Sequence, residues 1–220
     1  MGSWQPDVWL SQHIGRAAYR VQEGPLDDLP LGPCFCYAKV SETNTELIQV
    51  LRSAGFYLVE TLLTFIKKPS EDGALDSRLR ETRDSDSESV KQIAERSFRF
   101  SRFHADPNFD SDLANRIKAA WAGNFFQGQR GHRMLVAEER GHLCGFILLV
   151  EKPETTAIDL IAVDPAFQGR GLGRALLSAA ERKGRRILAG TQKANATSCR
   201  MYQKCGYTVD KSESVLHFHR

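Results

Sequence analysis

No stretch of this 220-residue chain approaches the roughly 20 consecutive apolar residues that a helix needs to cross a bilayer. Residues Met1 to Leu10, with Trp4, Pro6 and Asp7, lack the basic-then-apolar pattern of a secretory signal. A cytoplasmic protein with no membrane partner is expected. Charge of one sign is not in excess either: 30 Lys and Arg stand against 27 Asp and Glu, a net +3. Bulk electrostatics therefore give no footprint for nucleic acid, although a local anion site is compatible with them. Cysteine is scarce. The five residues Cys34, Cys36, Cys144, Cys199 and Cys205 are odd in number and without framework spacing, which in a reducing compartment reads as free thiols. Cys34 and Cys36 form a lone C-x-C with no second pair, so no metal is expected. A disorder-prone composition is also missing, since 41% hydrophobic and 26% charged residues is ordinary globular usage.

Between Pro69 and Ser89 the chain turns polar, through Pro69-Ser70-Glu71-Asp72-Gly73 and then Asp84-Ser85-Asp86-Ser87-Glu88-Ser89. This reads as a linker followed by a helix start, with the acidic-serine run as solvated linker and cap. The expected division is a small α/β lobe over residues 1–70, a linker and first strand over 71–89, and a larger domain over 75–220. Within the lobe, Cys34 to Val40 predicts a strand, Thr43 to Ala54 a helix, and Phe56 to Lys67 a strand. Asn44 stands at the cap and Gly55 at the C′ position of the helix. A shift of 151 residues places Asn195 on Asn44, Gly206 on Gly55 and Tyr207 on Phe56, a diverged pseudo-repeat in which the apolar position Leu51 becomes Tyr202.

After the linker, Arg78 to Thr82 predicts a short strand, and Glu88 to Phe100 and Asp112 to Asn124 two amphipathic helices. Arg133 to Glu138 and Gly145 to Val150 are β-rich runs joined at Glu139-Arg140-Gly141-His142, a hairpin. Thr156 to Val163 is largely apolar and stopped by Asp164-Pro165, as for a strand covered on both faces. Next comes Gln168-Gly169-Arg170-Gly171-Leu172-Gly173-Arg174, leading into a helix with Leu172, Leu176, Ala179 and Ala180 on one face. Residues without side chains let backbone N–H groups approach an anion, and a helix N-terminus favours negative charge, so pyrophosphate is the natural guest. The spacing is neither G-x-G-x-x-G nor the Gly-Lys-Ser/Thr ending of a P-loop. On these residues alone the loop is either an anion site or a tight turn with no ligand.

The run Ile158-Asp159-Leu160-Ile161-Ala162-Val163-Asp164-Pro165-Ala166-Phe167-Gln168-Gly169-Arg170-Gly171-Leu172-Gly173 resembles the acetyl-CoA motif of the GCN5-related N-acetyltransferases (GNAT superfamily), its Q-x-x-G-x-G loop complete. Downstream, Asn195, Tyr202 and Lys204-Cys205-Gly206-Tyr207 resemble the family's second motif, N-x6-Y-x-K-x-G-[FY]. The resemblance implies an α/β fold with a central mixed β-sheet flanked by helices, acetyl-CoA as co-substrate, and no metal. It implies that the backbone of Ile161, Ala162 and Val163 holds the pantetheine arm, with an oxyanion donor near Val163. Gln168, Gly169, Arg170, Gly171, Leu172, Gly173 and Arg174 would bind pyrophosphate through main-chain amides, Asn195 would contact the cofactor, and Tyr202 would face the thioester sulfur.

Nearly the whole chain is similar to the bacterial TDP-fucosamine acetyltransferase branch, which acetylates a 4-amino sugar on a thymidine diphosphate carrier. The similarity runs through Ala38-Lys39-Val40, Asn44-Thr45, Leu51, Gly55-Phe56, Leu58-Val59-Glu60, Ser101-Arg102-Phe103 and Trp121. It implies a nucleotide-sugar substrate, with Glu60 as candidate base acting through water. Arg102 is the candidate for the substrate diphosphate, since a guanidinium grips phosphate bidentately. His104 is a base, a second diphosphate contact or, as a lone loop histidine, neither. Cys199 and Cys205 flank Tyr202 without a histidine partner, which disfavours acyl-cysteine chemistry. His217 and His219 share a strand face without a third ligand. Two alternatives stay open: an enzyme of the same fold acting on a protein N-terminus, lysine or polyamine, and a non-catalytic acyl-CoA sensor. A homodimer by sheet completion is the expected assembly route.

Overall fold

Apolar side chains alternate along one strand after another, so each strand offers an apolar row to both faces and the sheet needs helices on each side. Cys34 to Val40 shows this directly: Cys34, Cys36, Ala38 and Val40 are buried on one face, Phe35 and Tyr37 on the other. The structure, a computed structural model, describes residues 4–22, 30–68, 76–181 and 184–220. In chain order the elements are β1 (Trp4–Pro6), α1 (Val8–Ile14), β2 (Ala17–Val21), β3 (Cys34–Ser41), α2 (Thr45–Ser53), β4 (Tyr57–Lys67), β5 (Leu79–Glu81), α3 (Ser87–Ser97), α4 (Arg102–Ala105), α5 (Ser111–Gly123), β6 (Arg133–Glu139), β7 (His142–Glu151), β8 (Thr155–Val163), α6 (Leu172–Ala179), β9 (Arg186–Gln192), α7 (Ala196–Lys204) and β10 (Thr208–His219). The described strands form one mixed sheet in the order β1-β2-β3-β10-β4-β9-β8-β7-β6-β5. Helices α2, α6 and α7 pack on one face and α1, α3, α4 and α5 on the other. Among the described residues no helix is long and apolar enough to cross a membrane.

The two strand-helix-strand units are built alike. Asn44 caps α2 by accepting from Leu47 N, and Asn195 caps α7 by accepting from Ser198 N, each at 3.1 Å. Both helices close on a left-handed glycine, Gly55 and Gly206. The next residue then donates back to the matching carbonyl, Phe56 to Leu51 and Tyr207 to Tyr202, each at 3.0 Å. The units interleave, since β10 lies between β3 and β4, and β4 lies between β10 and β9. The boundary expected near residue 70 therefore crosses a continuous sheet, and residues 69–75 of the expected linker lie outside the described residues.

Other expectations shift. The hairpin turn Arg140-Gly141 has positive φ at both residues, the twist that matches a two-residue antiparallel loop. The helix expected to reach Phe100 stops at Ser97, because Phe98 turns extended. The acidic-serine run is not simply solvated: Asp86 is buried and receives Arg80 at 2.7 and 3.0 Å and the backbone N–H of Arg83 at 2.8 Å. β1, α1, β2 and β9 were not foreseen.

On the last strand His217 and His219 do meet a third side chain, Asp106, whose Oδ2 accepts from both rings at 2.6 and 2.8 Å. Tyr57 donates to the other oxygen at 2.6 Å. Arg16 donates to Nδ1 of His219, which leaves Nε2 carrying the hydrogen towards Asp106, the tautomer opposite to a metal ligand. Burial by itself raises the carboxyl, but hydrogen bonds from His217, His219 and Tyr57 hold Asp106 well below the usual carboxylate range. Burial pushes the fully enclosed His217 down from 6.5 to about 4. A base whose native pKa is depressed stabilises the fold above its unfolded value and loses that contribution as pH falls. Between pH 7.5 and 5 the fold should lose about 2 kcal/mol through this residue. Denaturant titrations at the two pH values should show this loss in the native chain and its disappearance in His217→Gln; an equal loss in both would remove His217 as the source.

Candidate active site

A strand with one residue too many opens the site. β8 pairs with β7 with a register shift, Leu148 opposite Leu160 but Leu149 opposite Ile158, so Asp159 is bulged out of the ladder. The extra residue reverses the side-chain alternation. Ile158 packs with α6 and α7, whereas Leu160 and Ala162 pack with α3 and α5. Asp159 is fixed by Trp121 Nε1 at 3.0 Å and by Arg130 at 2.6 and 2.5 Å. Parallel pairing of β8 with β9 runs from Thr155–Arg186 to Ile158–Ala189 and ends there. Beyond this point β8 follows β7, β9 follows β4, and the two part around a cleft of about 590 Å³.

Asp164 N donates to Cys144 O on β7 at 2.8 Å. By the alternation of a strand, the N–H of Val163 points the other way, into the gap between β8 and β9. Ile161, Ala162 and Val163 all line the cleft. Asp164 then anchors the turn, with Oδ1 accepting from Ala166 N at 2.9 Å and Oδ2 from Arg96 at 2.7 Å. Gln168 folds its amide back onto Val163 O at 3.2 Å.

Gly169 and Gly171 have φ of 80° and 79° with open space where a Cβ would stand, and Gly171 is the left-handed N-cap of α6 with no side-chain cap. The first-turn amides of α6 are thus left to an outside acceptor, which suits a diphosphate. A Cβ at Gly173 would lie 2.9 Å from Met201 Sδ, so this glycine lets α6 sit close to α7. Leu172 buries its side chain in the core, and Arg170 turns its guanidinium to Glu139 at 3.2 Å and over Phe167, so these two offer backbone only. Arg174 lines the cleft.

Across the gap, Asn195 and Tyr202 line the same cleft. The Asn195 oxygen is spent on capping α7. Tyr202 is 2% exposed, its ring packed between Phe65 and Tyr207 at centroid distances of 5.3 and 5.5 Å. Burial pushes its phenol well above the ordinary value of 10, so it remains a neutral donor.

The remaining expected residues lie behind the cleft on the α3–α5 face. Glu60 Oε1 accepts from the amide of Gln192, a cleft residue, at 3.3 Å, while Oε2 is buried without a partner. Burial raises the Glu60 carboxyl, against the Gln192 hydrogen bond and the charges of Lys118, Arg102 and Lys39. Arg102 stacks its guanidinium 3.7 Å from the Tyr37 ring centre, with Nη1 buried and unpartnered. His104 spends both ring nitrogens within the protein, on Ser101 Oγ at 2.6 Å and Asn115 Oδ1 at 3.0 Å, so neither is left for a diphosphate or for a proton. Two groups escaped the sequence reading. Lys118 reaches the cleft from α5 over the rings of Phe98 and Trp121, at 5.1 and 4.9 Å, and Gln192 links the cleft to Glu60. A lysine on an amphipathic helix carries no signal of this placement.

The acetyltransferase (GNAT) family profile matches residues 88–207. The chain is 31% identical over 137 residues to the spore coat polysaccharide biosynthesis protein SpsD of Bacillus subtilis, covering 60% of this chain and 47% of that protein. It is 36% identical over 89 residues to the L-methionine sulfoximine/L-methionine sulfone acetyltransferase of Salmonella typhimurium, covering 36% and 52% respectively. The chain thus spans about half the length of the curated relatives it matches. Its fold is similar to the crystal structure of a GCN5-related N-acetyltransferase from Sphaerobacter thermophilus, with a TM-score of 0.58 at 14% identity over 86% of this chain and 60% of that one.

Gly171→Asp places a carboxylate where the free amides point. Its affinity for acetyl-CoA should fall by at least about tenfold in calorimetric titration; unchanged affinity would mean that the phosphates bind elsewhere.

Proposed function

The chain belongs to the GNAT acetyltransferase family, and from that premise we propose that it moves an acetyl group from acetyl-CoA to the amine of a nucleotide-linked amino sugar by direct attack. The observation that carries the transfer is the parting of β8 and β9 beside an uncapped, glycine-led helix, with Val163 N–H and Tyr202 on opposite sides of the gap. Acetyl-CoA, when bound, supplies an activated acyl carbonyl. Gly169 to Arg174 hold its pyrophosphate through backbone amides, and Ile161 to Val163 hold its pantetheine arm through the open strand edge.

Val163 N–H donates to the oxyanion that develops on attack. Tyr202 donates a hydrogen bond to the departing sulfur. Full proton transfer from a phenol near 10 to a thiol near 8.5 already runs uphill by about 2 kcal/mol, and burial of Tyr202 makes the climb steeper. The proton that the thiolate finally takes therefore comes from the amine side. Glu60 takes it from the attacking amine through water and hands it on to the thiolate, its raised carboxyl being the stronger base for the same burial. Support for the sugar acceptor comes from the name of the Bacillus relative, a polysaccharide biosynthesis protein, and from the unpartnered Nη1 of Arg102 beside Glu60. The name of the Salmonella relative makes small amino acids the second class to test.

Thiol release measured across amino-sugar nucleotides, peptides, amino acids and polyamines tests the reading. Turnover should be confined to the amino-sugar nucleotides; turnover with peptides alone would overturn it, and acetyl-CoA binding without any turnover would favour a sensor. Tyr202→Phe should lower the single-turnover rate by about 10- to 100-fold with acetyl-CoA affinity held within about threefold. Glu60→Gln should lower kcat by about 100-fold and abolish the acid limb of the pH profile, which in the native enzyme falls as pH drops through a carboxyl raised above 4.5. An intact acid limb in this variant would assign the base elsewhere.

A further inference from the structure

Several arginines of this protein hold a carboxylate. Arg78, Arg80, Arg96, Arg130, Arg133 and Arg170 each have one within 3.2 Å. Among the basic residues of the α3–α5 face that do not, four converge. Arg20 lies on β2 and Lys39 on β3, while Arg102 and Lys118 come from α4 and α5, and among the described residues none of them forms an ion pair. Strand register brings them together. Lys39 and Glu60 stand in one cross-strand row with Val215 between them, roughly 10 Å apart at the backbone. Arg20 is opposite Tyr37 on the neighbouring strand, the residue on whose ring Arg102 stacks. Lys118 completes the arc at the edge of the acetyl cleft.

We propose that Arg20, Lys39, Arg102 and Lys118 form a cradle for the diphosphate of the acceptor, with Glu60 set to receive the acceptor's amine beside the cleft. This rests on the nucleotide-sugar reading above and deepens it. The arrangement places like charges against one another. Lys39 is lowered by burial and by Arg102 and Arg20, and Lys118 falls to about 8 through burial and Arg102. The carboxylates within reach do not discharge it. Asp159 is already held by Arg130, whereas Asp7 accepts only from neutral donors, Tyr37 and the start of α1, and keeps its charge towards Arg102. Asp7, Glu60 and Glu213 remain, so four positive charges meet three negative ones. The balance stays positive, as an anion site requires, and a diphosphate diester carries two negative charges and has oxygens enough for several donors. The cradle lies on the opposite sheet face from α6, so the diphosphates of donor and acceptor do not compete for one site.

The test is calorimetric titration of the native chain and of the Arg20→Gln, Lys39→Gln double variant with thymidine diphosphate and with inorganic pyrophosphate, each in saturating coenzyme A so that the glycine loop is filled. Neither side chain belongs to the buried core. The native chain should bind at least one probe, and the double variant should bind it at least tenfold more weakly, with coenzyme A affinity unchanged. No binding by the native chain, or equal binding by both, would overturn the cradle. Turnover separates this from the function itself. If nucleotide-linked amino sugars are acetylated with the same KM by both proteins, the cradle falls and the acceptor reading stands. If diphosphate binding drops in the variant but only peptides or amino acids are acetylated, the cradle stands and the acceptor reading falls.

Discussion

The hold of Trp121 and Arg130 on Asp159 is the constraint on which the site depends. A strand with an inserted residue bends, twists more strongly and reverses its side-chain faces. Here the insertion falls where β8 leaves β9, so the bend becomes a gap rather than a local irregularity. The gap exposes strand amides to a ligand, brings Tyr202 and the α6 start to one side, and admits Lys118 and Gln192 from the other. The carboxylate that fixes the bend is only 10% exposed and tied to two elements, α5 and the segment before β6, so the opening is rigidly placed.

The glycines work in the same direction. Gly169 and Gly171 leave helix amides bare, and Gly173 lets α6 press on Met201 and so on α7, the helix that carries Tyr202. One short loop thereby both presents an anion site and sets the distance to the phenol. The related unit around α2 shows the fold without the chemistry, because Leu51, with the same backbone role as Tyr202, is packed wholly into the core.

Much of this was legible in the residues. The loop from Gln168 to Arg174, the Arg140-Gly141 turn and the paired caps Asn44 and Asn195 speak through local backbone demands, which a sequence states openly. Asp159 was silent, because a single acid in an apolar strand looks like an ordinary outward position and the inserted residue is visible only against β7. Lys118 carries no local signal, since only the packing of α5 brings it to the cleft over Phe98 and Trp121. Arg102 and His104, two residues apart, have opposite outcomes, one with a buried unpartnered nitrogen and one fully satisfied, and only their distant neighbours Tyr37 and Asn115 decide which. β1, α1 and β2 were missed for another reason: at three, seven and five residues they are too short to show a clear period, although β1 pairs with β2.

The interleaving of β3, β10, β4 and β9 constrains how the molecule is made. β3 and β4 are synthesised early yet never pair with each other, because the place between them belongs to a strand that begins only at Thr208. As the polypeptide leaves the ribosome, two apolar strand edges wait for a late arrival, and closure of the sheet must follow translation of nearly everything else. Loss of the last strand would leave the facing edges of β3 and β4 unpaired, whatever the acceptor.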